Sequence, residues 1–242
     1  MKTCLSNRLV TSGCSFTEYC WSTWADILGS QFAEYKNVGC AGSDNASIAR
    51  FAINEARSGD TVIIMWSSFD RWSMYYPNEV FPARGNPDNH WRHRGTFMRD
   101  KEFFTKFYHP VERFQTTMDY VQLVDLHSKV HGYTAYHFPA FPWLLGECER
   151  TVNPEVQAIF DRTQISNNYL NEISLYDMRI RNNQEFLLSH KYTPNGDKHP
   201  TPLTNLDYVQ EVIAPKLGID LNNVDFSSIM LEHEDVLNGI VK

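Results

Sequence analysis

Four short segments of this chain carry residue types that can do chemistry together. They are "SGCSFT" with Ser15, "NVGCAGSDN" with Gly42, "WSSFDR" with Ser67 and Ser68, and "NGDKHPTP" with Asp197 and His199. A serine hydroxyl attacks at neutral pH only when a neighbouring base takes its proton. His199 offers that imidazole, from a Gly/Asp/Pro-rich loop that can reach over a sheet edge, and Asp197 two residues earlier can orient it. A developing oxyanion then needs donors. The backbone N–H of Ser15, beside a following helix start, is one, and Gly42, which lets backbone approach a ligand closely, offers a second.

Each piece has a plainer meaning by itself. A serine between strand and helix is most often an N-cap, and "DKHP" is a common turn before a helix. The joint occurrence, in this order, favours the nucleophile. Cys14 is a weaker candidate, because alternation at a strand end points it away from Ser15. It reads as a small buried residue. "GCSFT" lacks the final glycine of a Gly-x-Ser-x-Gly elbow, with Thr17 in its place.

The elements that must position these residues read as strands alternating with helices. "RLVTS" is a short strand ending at Gly13, and "EYCWSTWADILG" has helical spacing up to Gly29. "AEYKNVG" is a second strand and "NASIARFAINEARSG" a second helix. "DTVIIMWSS" is unbroken in its apolar character, as in a strand covered on both faces. A long helix from about 112 to 130 precedes a fourth strand, "GYTAYHFPAF". "EISLYDM" reads as a fifth, weaker strand, and "LTNLDYVQEVIAPKLG" as the last helix. This order predicts an open α/β sheet with helices on both faces and one domain over residues 1–242. In such a sheet ligands bind beyond the carboxyl ends of the strands, where the chemical segments fall.

Two stretches break the rhythm. About 69–109 is long, aromatic and locally basic, and about 139–154 is rich in proline. Long irregular insertions are lids or binding loops, or else satellite structure that packs on the sheet. Asp70, Arg71, Trp72 and Trp143 fall within them and are candidate substrate contacts, with Ser67. Arg84, Arg92, Arg94 and Arg99 could meet an anionic group.

Composition narrows the classes. The net charge of −7 argues against nucleic acid or an anionic membrane as partner. No apolar run is long enough to span a bilayer, and the first residues lack the pattern of a secretory leader, which predicts a cytoplasmic setting. The five cysteines are odd in number and unevenly spaced, which suits reduced thiols better than a disulfide framework or a zinc site. His127 and His131 have the i, i+4 spacing of a metal pair, but no third ligand follows, so they read as a solvated helix face. Asn45 opens a glycosylation triplet, "NAS", which the missing leader makes irrelevant.

Taken in order, the four segments resemble the block pattern of the SGNH/GDSL hydrolases. Ser15 stands where that family has its nucleophile, "NVGCAG" from Asn37 to Gly42 matches its oxyanion glycine block, and "GDKHP" is similar to its histidine loop. The resemblance implies a flavodoxin-like three-layer α/β/α sandwich of about five parallel strands. It also implies a Ser15–His199–Asp197 triad, with Ser15, Gly42 and a hydroxyl from Ser67 or Ser68 (Ser68 taken first) facing the oxyanion. Three departures stand out. Cys14 replaces the usual aspartate, Phe69 replaces an oxyanion asparagine, and the Asp-x-His spacing is one residue short. The reading is an ester hydrolase acting on a small-molecule or carbohydrate O-acyl ester, with neither metal nor organic cofactor. Two alternatives remain: a non-catalytic structural or carbohydrate-binding module, for instance in a virus particle, and an acyl- or sulfuryl-group transferase.

Overall fold

The computed structural model describes residues 7–75, 91–94, 106–145, 151–189, 199–222 and 224–238. Four strands form a parallel sheet: β1 (Arg8–Gly13), β2 (Glu34–Asn37), β3 (Thr61–Trp66) and, later in the chain, β6 (Thr134–Pro139). Their order across the sheet is β2-β1-β3-β6. The chain therefore steps from β1 to one side and then crosses back to the other. That reversal makes the carboxyl ends of β1 and β3 the topological switch point, where ligands of such sheets bind.

Helices cover both faces, because the strands are apolar on both. On one face Leu9, Ile63, Met65 and Phe138 pack with Trp24 and Leu28 of α1 (Trp24–Gly29) and with Tyr208 of α6 (Pro202–Tyr208). On the other, Val10, Val62, Ile64 and Trp66 meet Ile48 and Ala52 of α2 (Asn45–Glu55). Phe114 and Val121 of α3 (Pro110–His131) join that face. The result is a three-layer α/β/α sandwich, as the alternation of elements predicts.

Two expected elements differ. "EISLYDM" is not a fifth strand: it enters α5 (Leu175–Ser189), because Ser174 caps it by accepting from the Asp177 N–H at 3.0 Å. Beside β6 the fifth position is reduced to one parallel bridge, His137 to Asn168, so among the described residues the sheet has four strands. The first helix also starts later than its spacing suggests. Thr23 donates its hydroxyl to the Thr17 carbonyl at 2.8 Å, and its N–H bonds the Asp26 carboxylate at 3.0 Å. Those bonds fix the helix start at Trp24 and leave 18–23 as an irregular loop.

The insertion after β3 contains an antiparallel pair, β4 (Trp72–Tyr75) with β5 (Trp91–Arg94). The described part of the proline-rich stretch folds inward, burying Ala140, Phe141 and Trp143, and α4 (Pro154–Arg162) follows. After α6 the helix widens into one π turn, Val209–Ile213, before α7 (Ala214–Leu217). Pro215 has no N–H to give and crowds the preceding turn, which the wider π geometry accommodates. The last element among the described residues is α8 (Ser227–Leu237).

Candidate active site

β1 ends at Gly13, and a single tight turn follows, in which the N–H groups of Thr17 and Glu18 both bond the Cys14 carbonyl, at 2.9 and 3.2 Å. Glycine is required there: a Cβ on Gly13 would lie 2.0 Å from Thr17 Oγ1 and 2.9 Å from the Met65 carbonyl oxygen. The turn presents Ser15, which keeps 8% of its surface exposed. No helix starts at Ser15; α1 begins only at Trp24, so a helix N-terminus is not what surrounds the Ser15 N–H.

From the far end of the chain His199 reaches the same point. Its Nε2 lies 2.8 Å from Ser15 Oγ, a hydrogen-bond distance. Tyr19 stacks on the imidazole with ring centroids 3.9 Å apart, and Phe16 meets it edge-on at 5.7 Å. The histidine loop is fastened from two sides. Trp21 Nε1 donates to the Pro200 carbonyl at 2.8 Å, and Asn205 Nδ2 donates to the carbonyls of Pro200 and Thr201 at 3.1 and 3.0 Å. Asn205 Oδ1 also accepts from the Trp24 N–H at 3.1 Å, joining this loop to α1. Asp197 lies outside the described residues.

The loop after β2 is tied to the Ser15 turn. Asn37 donates to the Thr17 carbonyl at 2.8 Å, and Cys40 N–H bonds the Gly13 carbonyl at 3.0 Å. Gly42 has φ 78° in a turn closed by Ser43 N–H on the Cys40 carbonyl at 3.1 Å. A side chain disfavours that φ, so glycine suits the position. Both Cys14 and Cys40 are free thiols in the interior. Burial pushes the Cys40 thiol up, which keeps it protonated and a poor nucleophile.

The third loop differs most from the sequence expectation. Phe69 is 1% exposed and packs edge-on against Phe114 with centroids 5.4 Å apart, so a core ring stands where the resemblance expects a donor. Ser68 donates its hydroxyl to Asp70 Oδ2 at 3.0 Å, which commits its single proton away from an oxyanion. Ser67 Oγ is buried and has no hydrogen-bond partner among the described residues. Of the two serines, Ser67 is the one with a proton to give. The Ser67 backbone is clamped in both directions by Asn45, which accepts from its N–H at 2.9 Å and donates to its carbonyl at 3.0 Å.

The candidate substrate contacts separate by burial. Asp70 is fully enclosed, accepting from Ser68 and from the Tyr108 hydroxyl, and Trp143 packs inside against Phe114. Arg71 and Trp72 keep partial exposure, with the Arg71 guanidinium 5.0 Å above the Phe141 ring. Arg92 and Arg94 lie on β5, and Arg84 and Arg99 lie outside the described residues. His127 and His131 stack at 3.9 Å, and His127 Nδ1 lies 3.0 Å from the Tyr133 hydroxyl.

Asn205 and Asn45 were not singled out by the sequence for the roles they have. The signal for Asn205 is a polar residue on the same helical face as Tyr208, Val209 and Val212, and it is buried there. Asn45 sits in the glycosylation-like triplet, yet its amide is enclosed by protein.

No protein-family model and no curated protein sequence matches the chain. Among solved structures, the acetylxylan esterase Axe2 from Geobacillus stearothermophilus superposes with a TM-score of 0.50. The match covers 93% of this chain and 100% of that one, at 13% identity. The two proteins share the three-layer α/β/α fold. A catalytic mutant of the same esterase gives a TM-score of 0.49 over 91% of this chain and 98% of that one, also at 13% identity. Phospholipase A1 from Streptomyces albidoflavus gives 0.31 over 64% of this chain and 70% of that one, at 12% identity. Within this fold, Ser15 and His199 meet beyond the carboxyl end of β1, next to β3.

Proposed function

We propose that the chain is one hydrolase domain that cleaves an ester by way of Ser15. The observation that carries this reading is the 2.8 Å contact between His199 Nε2 and Ser15 Oγ, just past the carboxyl end of β1. In the proposed reaction Ser15 Oγ attacks the acyl carbon while its proton passes to His199 Nε2. The tetrahedral oxyanion is met by the N–H groups of Ser15 and Gly42 and by the Ser67 hydroxyl. Collapse breaks the ester C–O bond, and His199 returns the proton to the leaving alcohol. Water then attacks the acyl-enzyme, with His199 as base, and releases the acid. Asp197 is assigned to hold the imidazole. The substrate class we propose is an O-acylated carbohydrate, on the analogy of the acetylxylan esterase that shares the fold.

A serine-reactive fluorophosphonate tests the nucleophile. Wild-type protein is expected to label and Ser15→Ala not to label. Absence of labelling at every pH between about 6 and 9, where an imidazole base is competent, overturns the reading. Acetate release from acetylated glycans in water then separates hydrolysis from acyl transfer.

One observation favours a second reading, a non-catalytic module on the same fold. The position of the usual oxyanion asparagine is a core phenylalanine, Phe69. Loss of a donor costs about 2.7–4 kcal/mol of transition-state stabilisation when nothing replaces it.

A further inference from the structure

The imidazole of His199 is held on its face as well as at its edge. Tyr19 stacks on it with a centroid separation of 3.9 Å and an interplanar angle of 19°. Edge-to-face aromatic pairs need a wider centroid separation, about 4.5–7 Å, so the imidazole cannot tilt out of plane while Tyr19 stays where it is. Tyr19 is itself braced. Trp21 meets its ring edge-on at 4.5 Å, and the same indole donates to the Pro200 carbonyl at 2.8 Å. Tyr19, Trp21, Pro200 and His199 thus close a small circuit. The loop that carries the two aromatics is pinned by Ser22 N–H on Glu232 Oε1 of α8 at 3.1 Å and by Thr23 Oγ1 on the Thr17 carbonyl at 2.8 Å.

We propose that Tyr19 is a positioning residue for His199. Its ring keeps the imidazole in the plane that aims Nε2 at Ser15, and its negative face favours the imidazolium formed when the serine proton is taken. The second effect strengthens as charge develops, so it lowers the barrier rather than tightening ground-state binding. The proposal rests on the hydrolase reading for its consequence in turnover, but not for the contact between the two rings.

The groups that meet the imidazole include the Ser15 hydroxyl at its edge, the Tyr19 ring on its face and Phe16 edge-on at 5.7 Å. Carboxylates nearby in sequence are Glu18, in the same turn, and Asp197, on the histidine loop; Glu232 reaches the aromatic loop from α8. All of these groups are still in the chain when Tyr19 alone is substituted, so the comparison among Phe, Trp and Leu at that position isolates the ring.

The experiment is an NMR titration of the His199 ring nitrogens in wild type, Tyr19→Phe, Tyr19→Trp and Tyr19→Leu. The rate of fluorophosphonate labelling at Ser15 is followed in parallel. Phe is expected to match wild type, Trp to titrate at or above it, and Leu to titrate lower. Labelling of the Leu variant should slow about three- to tenfold, with the maximal rate rather than the half-saturating probe concentration affected. Leu matching wild type in both readouts overturns the proposal, and so does Phe falling as far as Leu. If near-UV circular dichroism finds the Leu variant unfolded, the Trp and Phe pair decides: Trp titrating below Phe overturns it. Wild-type protein that does not label overturns the hydrolase reading alone, and the titration still decides whether Tyr19 holds the imidazole.

Discussion

His199 Nε2 and Ser15 Oγ, 184 residues apart along the chain, lie 2.8 Å apart in the fold. The sheet brings the Ser15 turn to that point, and Asn205 brings the histidine loop by bonding Pro200, Thr201 and Trp24 together. Replacing Asn205 with Ala leaves buried partners of those bonds unpaired, at about 1–3 kcal/mol for each group so stranded. The expected outcome for Asn205→Ala is a lower melting temperature and a slower rate of fluorophosphonate labelling, read on protein held well below that temperature.

The two serines after β3 should separate cleanly. Ser67→Ala removes a buried hydroxyl that has no partner among the described residues, so stability should hold. In the proposed reaction the hydroxyl meets the oxyanion, so turnover of an ester should fall about 10²–10³-fold. Ser68→Ala takes a donor from the buried Asp70 carboxylate and should lower stability instead, by about 1–3 kcal/mol. Thermal melts and ester turnover on both variants check the contrast.

Restoring an asparagine at 69 should fail. Phe69 fills core space against Phe114, so Phe69→Asn removes a ring and buries an amide. By analogy with large-to-small core changes the loss is about 3–5 kcal/mol, measured by urea unfolding, with no gain in turnover.

His137 ties stability to pH. It is fully buried, its Nδ1 accepts from Trp66 Nε1 at 3.0 Å, and burial pulls its imidazole down from 6.5 to about 4, with the Asp125 charge opposing only in part. Between those values the unfolded chain binds a proton that the folded chain refuses. Stability is therefore full above pH 6.5 and falls as pH drops towards 4, by at most about 3 kcal/mol. Urea unfolding of wild type at pH 7 and 4.5 should show the fall, and His137→Phe should show a shallower one.

Gly13 tolerates no side chain. A Cβ there would sit 2.9 Å from the Met65 carbonyl oxygen, part of the neighbouring strand, as well as against Thr17. Gly13→Ala must push β1 from β3 or distort the Ser15 turn. The expected cost is about 1–3 kcal/mol or more, with labelling lost before folding is. A melt paired with labelling on the same sample checks this.

Much of this arrangement can be read from the residue order. The apolar run of β3 is long enough and unbroken enough to require cover on both faces, and alternation with helices makes the sheet parallel. Ser15, Gly42 and His199 stand out because each sits in a turn at the end of a strand or before a helix. The expected fifth strand is absent among the described residues for a local reason: "EISLYDM" alternates well enough for a strand, but the Ser174–Asp177 cap starts a helix inside it. The late start of α1 has the opposite cause, since Thr23 spends its hydroxyl on a carbonyl outside the helix.

What the sequence by itself determined is the sandwich and the nominees for its edge, because strand burial and turn chemistry are written in local pattern. What only the tertiary structure decided is how each nominee is placed and bonded. Side-chain pattern does not say that Ser68 is spent on Asp70 while Ser67 is unspent, or that Phe69 faces the core. Nor does it say that Asn45, Asn205 and Tyr19 fix the groups around them. Those assignments depend on where a proton or a ring finds its partner, and the partners come from segments far apart in the chain.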